Sequence, residues 1–287
     1  MLVGHFPLND SEISQRILDL HGSIQMFNIL DSNYSVNQYL EIFTNWIVAS
    51  SYNSLVGIEK FKSSCYCVGT YDAIHNFVAR HVKQKRIRFS KAEFVGAKIC
   101  CNYMNANWKW LEDDEIKKDD AVVISLPFSG NGGIYSNYNG LIEDCEKLGV
   151  PVFLDTAYYG ISYDFKIDLS ASCITDISTS LTKPISMTLR SGIRFTKTSH
   201  DDFLQSTSDS NIHNRIACTV ASKILQEFSH DWLVEKYKPM QKETCKKLKI
   251  TPTQTFTLAL GDSILHKDFE RNGFNRICIV DEFYKKI

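Results

Sequence analysis

Several things are scarce or missing in this sequence, and each absence narrows what the chain can be. No uninterrupted apolar run approaches the roughly 20 residues that cross a bilayer as a helix, so no membrane span is expected. The opening Met1-Leu2-Val3-Gly4-His5-Phe6-Pro7 has no basic segment followed by an apolar core, so no secretory signal is expected either. CxxC pairs are absent and the nine cysteines are an odd count, which argues against a zinc ribbon and against a disulfide framework. Scattered mostly through apolar runs, these cysteines read as reduced core residues, and a reducing cytoplasm is the simplest home for them. Neither sign of charge is in excess: a net charge of -1 exerts no global pull on nucleic acid or anionic membrane. The local basic run Lys83-Gln84-Lys85-Arg86-Ile87-Arg88 reads as a solvated helix end rather than a nucleic-acid patch. Internal repeats and low-complexity tracts are lacking as well.

What is present has the balance of a globular protein, 44% hydrophobic and 23% charged over 287 residues, enough for one large α/β domain with a smaller companion. Residues 1–60 form an N-terminal segment with helical apolar spacing at Val36, Tyr39, Leu40, Phe43 and Ile47. From residue 61 the punctuation becomes regular. The strand-like run Cys65-Tyr66-Cys67-Val68 ends at Gly69, and a helix follows with Ile74, Phe77, Val78 and His81 on one face. Short apolar runs recur at 97–101, 121–125, 151–154, 173–177 and 192–195, with a helical pattern over 138–148. Near-continuous apolar strands alternating with helices predict a mostly parallel sheet flanked by helices on both faces. Right-handed crossovers then bring the turns after the strands to one edge, where α/β proteins bind ligands. A polar stretch around residues 207–211 marks a boundary. Residues 61–207 are expected to form the large domain and 208–287 a small C-terminal α+β lobe, with a long helix over 213–228 and strands at 255–260 and 276–280.

Two strand ends carry the chemistry. Pro151-Val152-Phe153-Leu154 delivers Asp155 to the ligand edge, with Tyr158 three residues on. A buried carboxylate there can hold a ring nitrogen protonated, because pairing favours the charged form of both partners. About one crossover later the strand at 173–177 runs into Ser178-Thr179-Ser180-Leu181-Thr182-Lys183, followed by Arg190-Ser191-Gly192.

Asp-x-Ala-Tyr at one strand end and Ser-Leu-Thr-Lys at the next resemble the pattern of fold-type I pyridoxal-phosphate enzymes, specifically the class I and II aminotransferases. The resemblance implies pyridoxal 5'-phosphate as cofactor, Asp155 against its pyridine nitrogen, Tyr158 on its ring hydroxyl and Lys183 as the lysine that carries it. Gly69-Thr70-Tyr71 resembles the family's glycine turn before a helix, whose backbone N–H groups hold the cofactor phosphate. Ser180, Thr182 and Arg190 fall at further cofactor positions, Arg190 matching the phosphate arginine with Arg194 as its competitor. Phe94, in Ala92-Glu93-Phe94-Val95-Gly96, is placed to stack on the ring. The chief departure is at 126–133, where Ser129 stands in the place of the family's asparagine and Asn131 is the other residue able to reach the ring oxygen. Phe274-Asn275-Arg276-Ile277-Cys278-Ile279 resembles the strand whose arginine grips the substrate carboxylate, making Arg276 the substrate residue ahead of Arg215 and Arg271. No metal site is expected.

The motifs are recognisable over residues 65–198, and the chain is short for this family. The activity the resemblance implies is transfer of an amino group between an amino acid and a 2-oxo acid, by a homodimer. A lyase or decarboxylase on the same scaffold and a degenerate, non-catalytic relative are the alternatives.

Overall fold

The computed structural model describes residues 7–23 and 35–284. Two helices lead, α1 (Ser11–Ser23) and α2 (Val36–Val48). The apolar spacing of α2 buries Val36, Tyr39, Leu40, Phe43 and Ile47, and the Ser35 side chain caps it by accepting from the Asn37 N–H at 3.2 Å. There follow β1 (Asn53–Val56), β2 (Ser63–Cys67), α3 (Thr70–His81), β3 (Arg86–Phe89), α4 (Gly96–Tyr103), β4 (Trp108–Trp110), β5 (Asp120–Ser125), α5 (Tyr138–Leu148) and β6 (Val152–Asp155). Then come β7 (Phe165–Asp168), β8 (Ile174–Ser180), β9 (Gly192–Thr196), α6 (Phe203–Asp209), α7 (Arg215–Glu227) and α8 (Trp232–Leu248). The chain closes on β10 (Thr251–Pro252), β11 (Leu258–Leu260), β12 (Glu270–Arg271), β13 (Phe274–Cys278) and α9 (Val280–Tyr284).

Seven strands make the large sheet in the order β2-β9-β8-β6-β5-β3-β4, parallel except for β9, which runs against both neighbours. β5 and β6 are buried at every position, which is why they read as continuous apolar runs. Alternate residues serve opposite faces: Val122 and Ile124 join the core that includes α2, while Ala121 and Val123 join the one that includes α3 and α4. Because β5, β6 and β8 are parallel, their carboxyl ends lie on one edge, with Ser125 beside Asp155 and, past a register shift near Val152, Asp155 beside Ser178. The small antiparallel sheet has the order β10-β11-β13-β12. α7 packs on α1 and α2, and residue 208 lies inside α6.

Three local expectations are corrected. Residues 97–101 are not a strand but the middle of α4, because Ala97, Cys100 and Cys101 follow helical spacing and are buried while Ile99 faces out. A five-residue apolar run does not by itself distinguish the two. The basic run is not a helix end throughout: Arg86 and Arg88 lie on β3, and Arg88 is fully buried, 2.7 Å from Asp120 and 2.8 Å from Asp114. The expected strand at 255–260 is confined to its last three residues, β11. All nine cysteines are buried and free. Among the described residues no helix is long and apolar enough to cross a membrane.

Candidate active site

Beyond the carboxyl ends of β5, β6 and β8 lies a cavity of about 390 Å³. Asp155, the last residue of β6, is 4% exposed. It accepts from the Ala157 N–H at 2.9 Å and from the Thr70 hydroxyl at 3.4 Å. Burial, reinforced by the neighbouring Glu93 carboxylate, pushes its pKa up to about 7. Lys183 follows β8 and reaches the same cavity, and burial lowers its pKa to about 8. The Arg276 guanidinium adds to that lowering, whereas Asp155 opposes it. The pair therefore changes charge near neutrality, one from each side.

Tyr158 and Ser129 form the next wall. Their side chains are hydrogen-bonded, and burial raises the Tyr158 pKa while Arg276 opposes the rise. Ser129 is fixed from three directions: its N–H donates to the Ser125 hydroxyl at 2.8 Å, its hydroxyl meets Tyr158, and its carbonyl accepts from Arg276. Asn131 is turned into its own loop, donating to the Ile134 carbonyl and accepting from the Gly133 N–H. Of the two candidates for the ring oxygen, Ser129 is the one in the cavity wall.

The opposite end is bordered by donors and positive charge. Gly69 precedes α3 and gives its first turn no side-chain cap. A Cβ at Gly69 would stand 3.8 Å from both Arg190 Nη2 and Thr182 Oγ1, so the absence of a side chain keeps open a space bordered by a cation, a hydroxyl and the positive end of a helix. Arg190 takes up this position with φ 45°. Its competitor Arg194 is fully buried and held by Asp202 at 2.5 and 3.1 Å. Ser180 ends β8 in the cavity wall; Tyr71 and Phe94 line the mouth, meeting edge-on with ring centroids 6.1 Å apart.

Arg276 comes from β13, 1% exposed. One terminal nitrogen donates to the Ser129 carbonyl, while Nη2 is buried without a hydrogen-bond partner. A buried guanidinium nitrogen in a cavity wall is an invitation to an oxyanion. Arg215 opens α7 and is not in this wall, whereas Arg271 is. The cavity thus gathers Gly69, Thr70, Tyr71, Phe94, Ser129, Asp155, Tyr158, Ser180, Thr182, Lys183, Arg190 and Arg276, whereas the alternatives Asn131, Arg194 and Arg215 lie outside its wall.

One contributor escaped sequence reasoning. Glu93 is buried beside the cavity: Oε1 accepts from the Phe94 N–H at 2.8 Å and the Ser125 hydroxyl at 2.6 Å, and Oε2 accepts from the Ser125 N–H at 2.8 Å. Burial raises its pKa. Its signal was a lone acid between Ala92 and Phe94, which nothing local distinguishes from a surface glutamate.

No protein-family model matches the chain, and no curated protein matches it in sequence. Solved structures do. Tyrosine aminotransferase from Leishmania infantum is similar over 99% of this chain and 91% of its own, at 14% identity and a TM-score of 0.66. A PLP-bound C-S lyase from Staphylococcus hominis aligns over 99% and 86% at 12% identity and a TM-score of 0.66. L-Threonine-O-3-phosphate decarboxylase from Porphyromonas gingivalis aligns over 89% and 79% at 12% identity and a TM-score of 0.63. The fold is that of the fold-type I pyridoxal-phosphate-dependent enzymes, and the likeness extends well beyond residues 65–198, where the motifs are recognisable.

Proposed function

We propose that this chain is a pyridoxal-phosphate-dependent aminotransferase that moves an amino group between an amino acid and a 2-oxo acid. The observation that carries the reading is convergence: Asp155, Tyr158, Lys183 and Arg276, with the open cradle at Gly69, Thr182 and Arg190, come from separate segments to one cavity. Retention of all these groups speaks against a degenerate relative.

When bound, pyridoxal phosphate supplies an electron sink for the pair released as a bond to the substrate Cα breaks. The chain's residues account for the rest. Gly69, Thr70, Thr182 and Arg190 would hold the phosphate through backbone N–H groups, a hydroxyl and a guanidinium. Asp155 would accept from the ring nitrogen and keep it cationic, and such a partner would draw the Asp155 pKa back down. Tyr158 and Ser129 would offer hydroxyls to the ring oxygen, and Phe94 would border the ring. Lys183, with a pKa near 8, exists in both protonation states near neutral pH, which would suit it to carry the cofactor and to hold or move a proton at its Nζ. Arg276 Nη2 takes the substrate α-carboxylate.

Elimination and decarboxylation draw on the same groups, and the fate of nitrogen separates them: a 2-oxo acid acceptor becomes an amino acid only in amino transfer. The working form is a homodimer in a reducing cytoplasm. Val95 and Met187, which line the cavity, and Ile99 and Tyr103, farther along α4, are each at least half exposed, a place for a second copy to cover. The cofactor assignment is tested by borohydride reduction of the yellow holoprotein followed by peptide mass mapping. A pyridoxyl group on Lys183 is expected; an adduct on another lysine overturns the assignment.

A further inference from the structure

Two carboxylates, Asp155 and Glu93, are buried at the carboxyl edge of the large sheet, and of the two only Asp155 lines the cavity. Glu93 sits in the loop between β3 and α4. That loop is tied on several sides. The Glu93 N–H donates to the Ser90 carbonyl at 3.0 Å, and the Glu112 carboxylate accepts from the Ser90 hydroxyl and the Lys91 N–H. Asn272, in the Asn272-Gly273 turn between β12 and β13, donates to the Lys91 carbonyl at 2.6 Å. A carboxylate is costly to bury unless it is well paired, and among the described residues no cation lies within ion-pair distance of Glu93. It is held by hydrogen-bond donors alone.

Those donors form a directed chain. Glu93 accepts the Phe94 N–H at 2.8 Å, the Ser125 hydroxyl at 2.6 Å and the Ser125 N–H at 2.8 Å, using both oxygens. A hydroxyl has one proton, and Ser125 gives its own to Glu93, so the Ser125 oxygen is left to accept. It accepts the Ser129 N–H at 2.8 Å. Ser129 then meets Tyr158 through its hydroxyl and Arg276 through its carbonyl. A serine hydroxyl has no amide plane to fix its direction, so at position 129 the backbone that carries it must be fixed instead. Ser125 is also the register partner of Asp155, whose carbonyl accepts the Leu126 N–H at 2.9 Å. Glutamine at position 93 would not be equivalent, because whichever way its amide turned, the NH2 would face a donor.

We propose that Glu93 is a positioning residue for this site: through the Ser125 hydroxyl it fixes the Ser129 backbone, and with it the settings of Tyr158 and Arg276. This deepens the reading of the cavity as a cofactor and amino-acid site and rests on it. One carboxylate outside the cavity thereby orients groups at both the ring-oxygen and the substrate-carboxylate positions, while the anion cradle at Gly69, Thr182 and Arg190 takes no part in the chain.

The test compares Glu93→Gln and Ser125→Ala, singly and together. Three probes are titrated by calorimetry: pyridoxal and inorganic phosphate on the cofactor-free protein, and butyrate, an unreactive carboxylate, on the holoprotein. Each single variant is expected to weaken pyridoxal and butyrate by on the order of 10-fold and to leave phosphate unchanged. The double variant should be no weaker than the worse single, since both changes break one chain. A residue that merely held the fold together would weaken all three probes alike. That outcome, unchanged pyridoxal or butyrate affinity, or strictly additive losses overturns the proposal. Where Glu93→Gln does not fold, Ser125→Ala alone carries the same comparison of probes. If wild type takes up no pyridoxal, the cofactor reading falls, and hydrogen exchange of the Ser129 N–H in the cofactor-free protein decides the chain by itself. Exchange about tenfold faster in Glu93→Gln upholds the chain, and an unchanged rate overturns it.

Discussion

The two ends of the large sheet treat buried arginine in opposite ways. Toward the amino ends of the strands, Arg88 is fully buried between Asp120 and Asp114 and also donates to the carbonyls of Trp110, Asp114 and Glu115. Arg194 is held by Asp202 in the same manner. Beyond the carboxyl ends, Arg276 is just as deeply buried, yet among the described residues no carboxylate lies within ion-pair distance of it. A buried charge is tolerated when it is paired and is costly when it is not. One end pairs its buried arginines with carboxylates, and the other leaves Arg276 without one. On the proposed function, that difference separates structural arginines from substrate-binding ones.

The sharpest way to test the contrast is Asp155→Asn, which removes the anion of the functional end. With cofactor bound it is expected to lower kcat by three powers of ten or more, about 4 kcal/mol of transition-state stabilisation, in an assay of amino transfer. Unchanged turnover would remove Asp155 from the chemistry. Without cofactor the same variant reverses sign. The folded pKa of Asp155 is raised to about 7 from 3.8, so its contribution to stability is fully present below about 4 and lost as pH rises toward 7. Lys183, lowered only to about 8, stays mostly protonated across that window. Chemical denaturation of the cofactor-free protein should therefore show Asp155→Asn gaining on wild type between pH 4 and pH 8, by at most about 4 kcal/mol. A gap that does not vary with pH would contradict the raised pKa.

At the structural end, Arg88→Leu removes one of the two arginines on Asp120 and the donor to three part-buried carbonyls, and should lower folding stability by about 3 kcal/mol, read by urea denaturation. Arg276→Lys should do little to stability and instead reduce kcat/KM for amino acids by about 10- to 100-fold, because a point charge cannot make two parallel bonds to a carboxylate. Amines lacking the carboxylate are the control and should react equally poorly with both proteins. If Arg276→Lys destabilised the protein as much as Arg88→Leu, the distinction between the two ends would collapse.

The functional end was the more legible in the sequence, for a physical reason. Parallel strands deliver the residue after their last apolar position to one edge, so Asp155 and Lys183 announce themselves as polar residues following apolar runs, and Gly69 by the turn before a helix. The structural end gives no such signal. Arg86-Ile87-Arg88-Phe89 alternates charge and apolarity on a buried strand, and its partners at 114 and 120 lie across the sheet, so the run looks like solvated charge until the strands are paired. Residues 97–101 misled because five apolar residues suit a helix face as well as a strand. Glu93 was invisible because its burial depends on Ser125. Arg271 was legible in principle through the Asn-Gly turn, which sets both arginines on one face.

The smallest effect should come from the anion cradle, where several weak donors share one phosphate. Thr182 is half-buried, and its hydroxyl stands beside the space that Gly69 leaves open. Thr182→Val keeps the shape and removes the donor. One hydrogen bond to a charged acceptor is worth roughly 1.5–3 kcal/mol, and here the N-terminus of α3 and Arg190 still hold the phosphate, so the loss should fall at the low end, about tenfold in cofactor affinity. Titration of the cofactor-free protein, followed by the visible band, measures it directly, and stability in the absence of cofactor should not change. Pyridoxal without its phosphate sharpens the point: it cannot use the cradle, so wild type and Thr182→Val should bind it equally. If the variant weakened pyridoxal and pyridoxal phosphate by the same factor, the hydroxyl would be serving the ring or the fold, and the anion site would have to be drawn from Gly69, α3 and Arg190 alone.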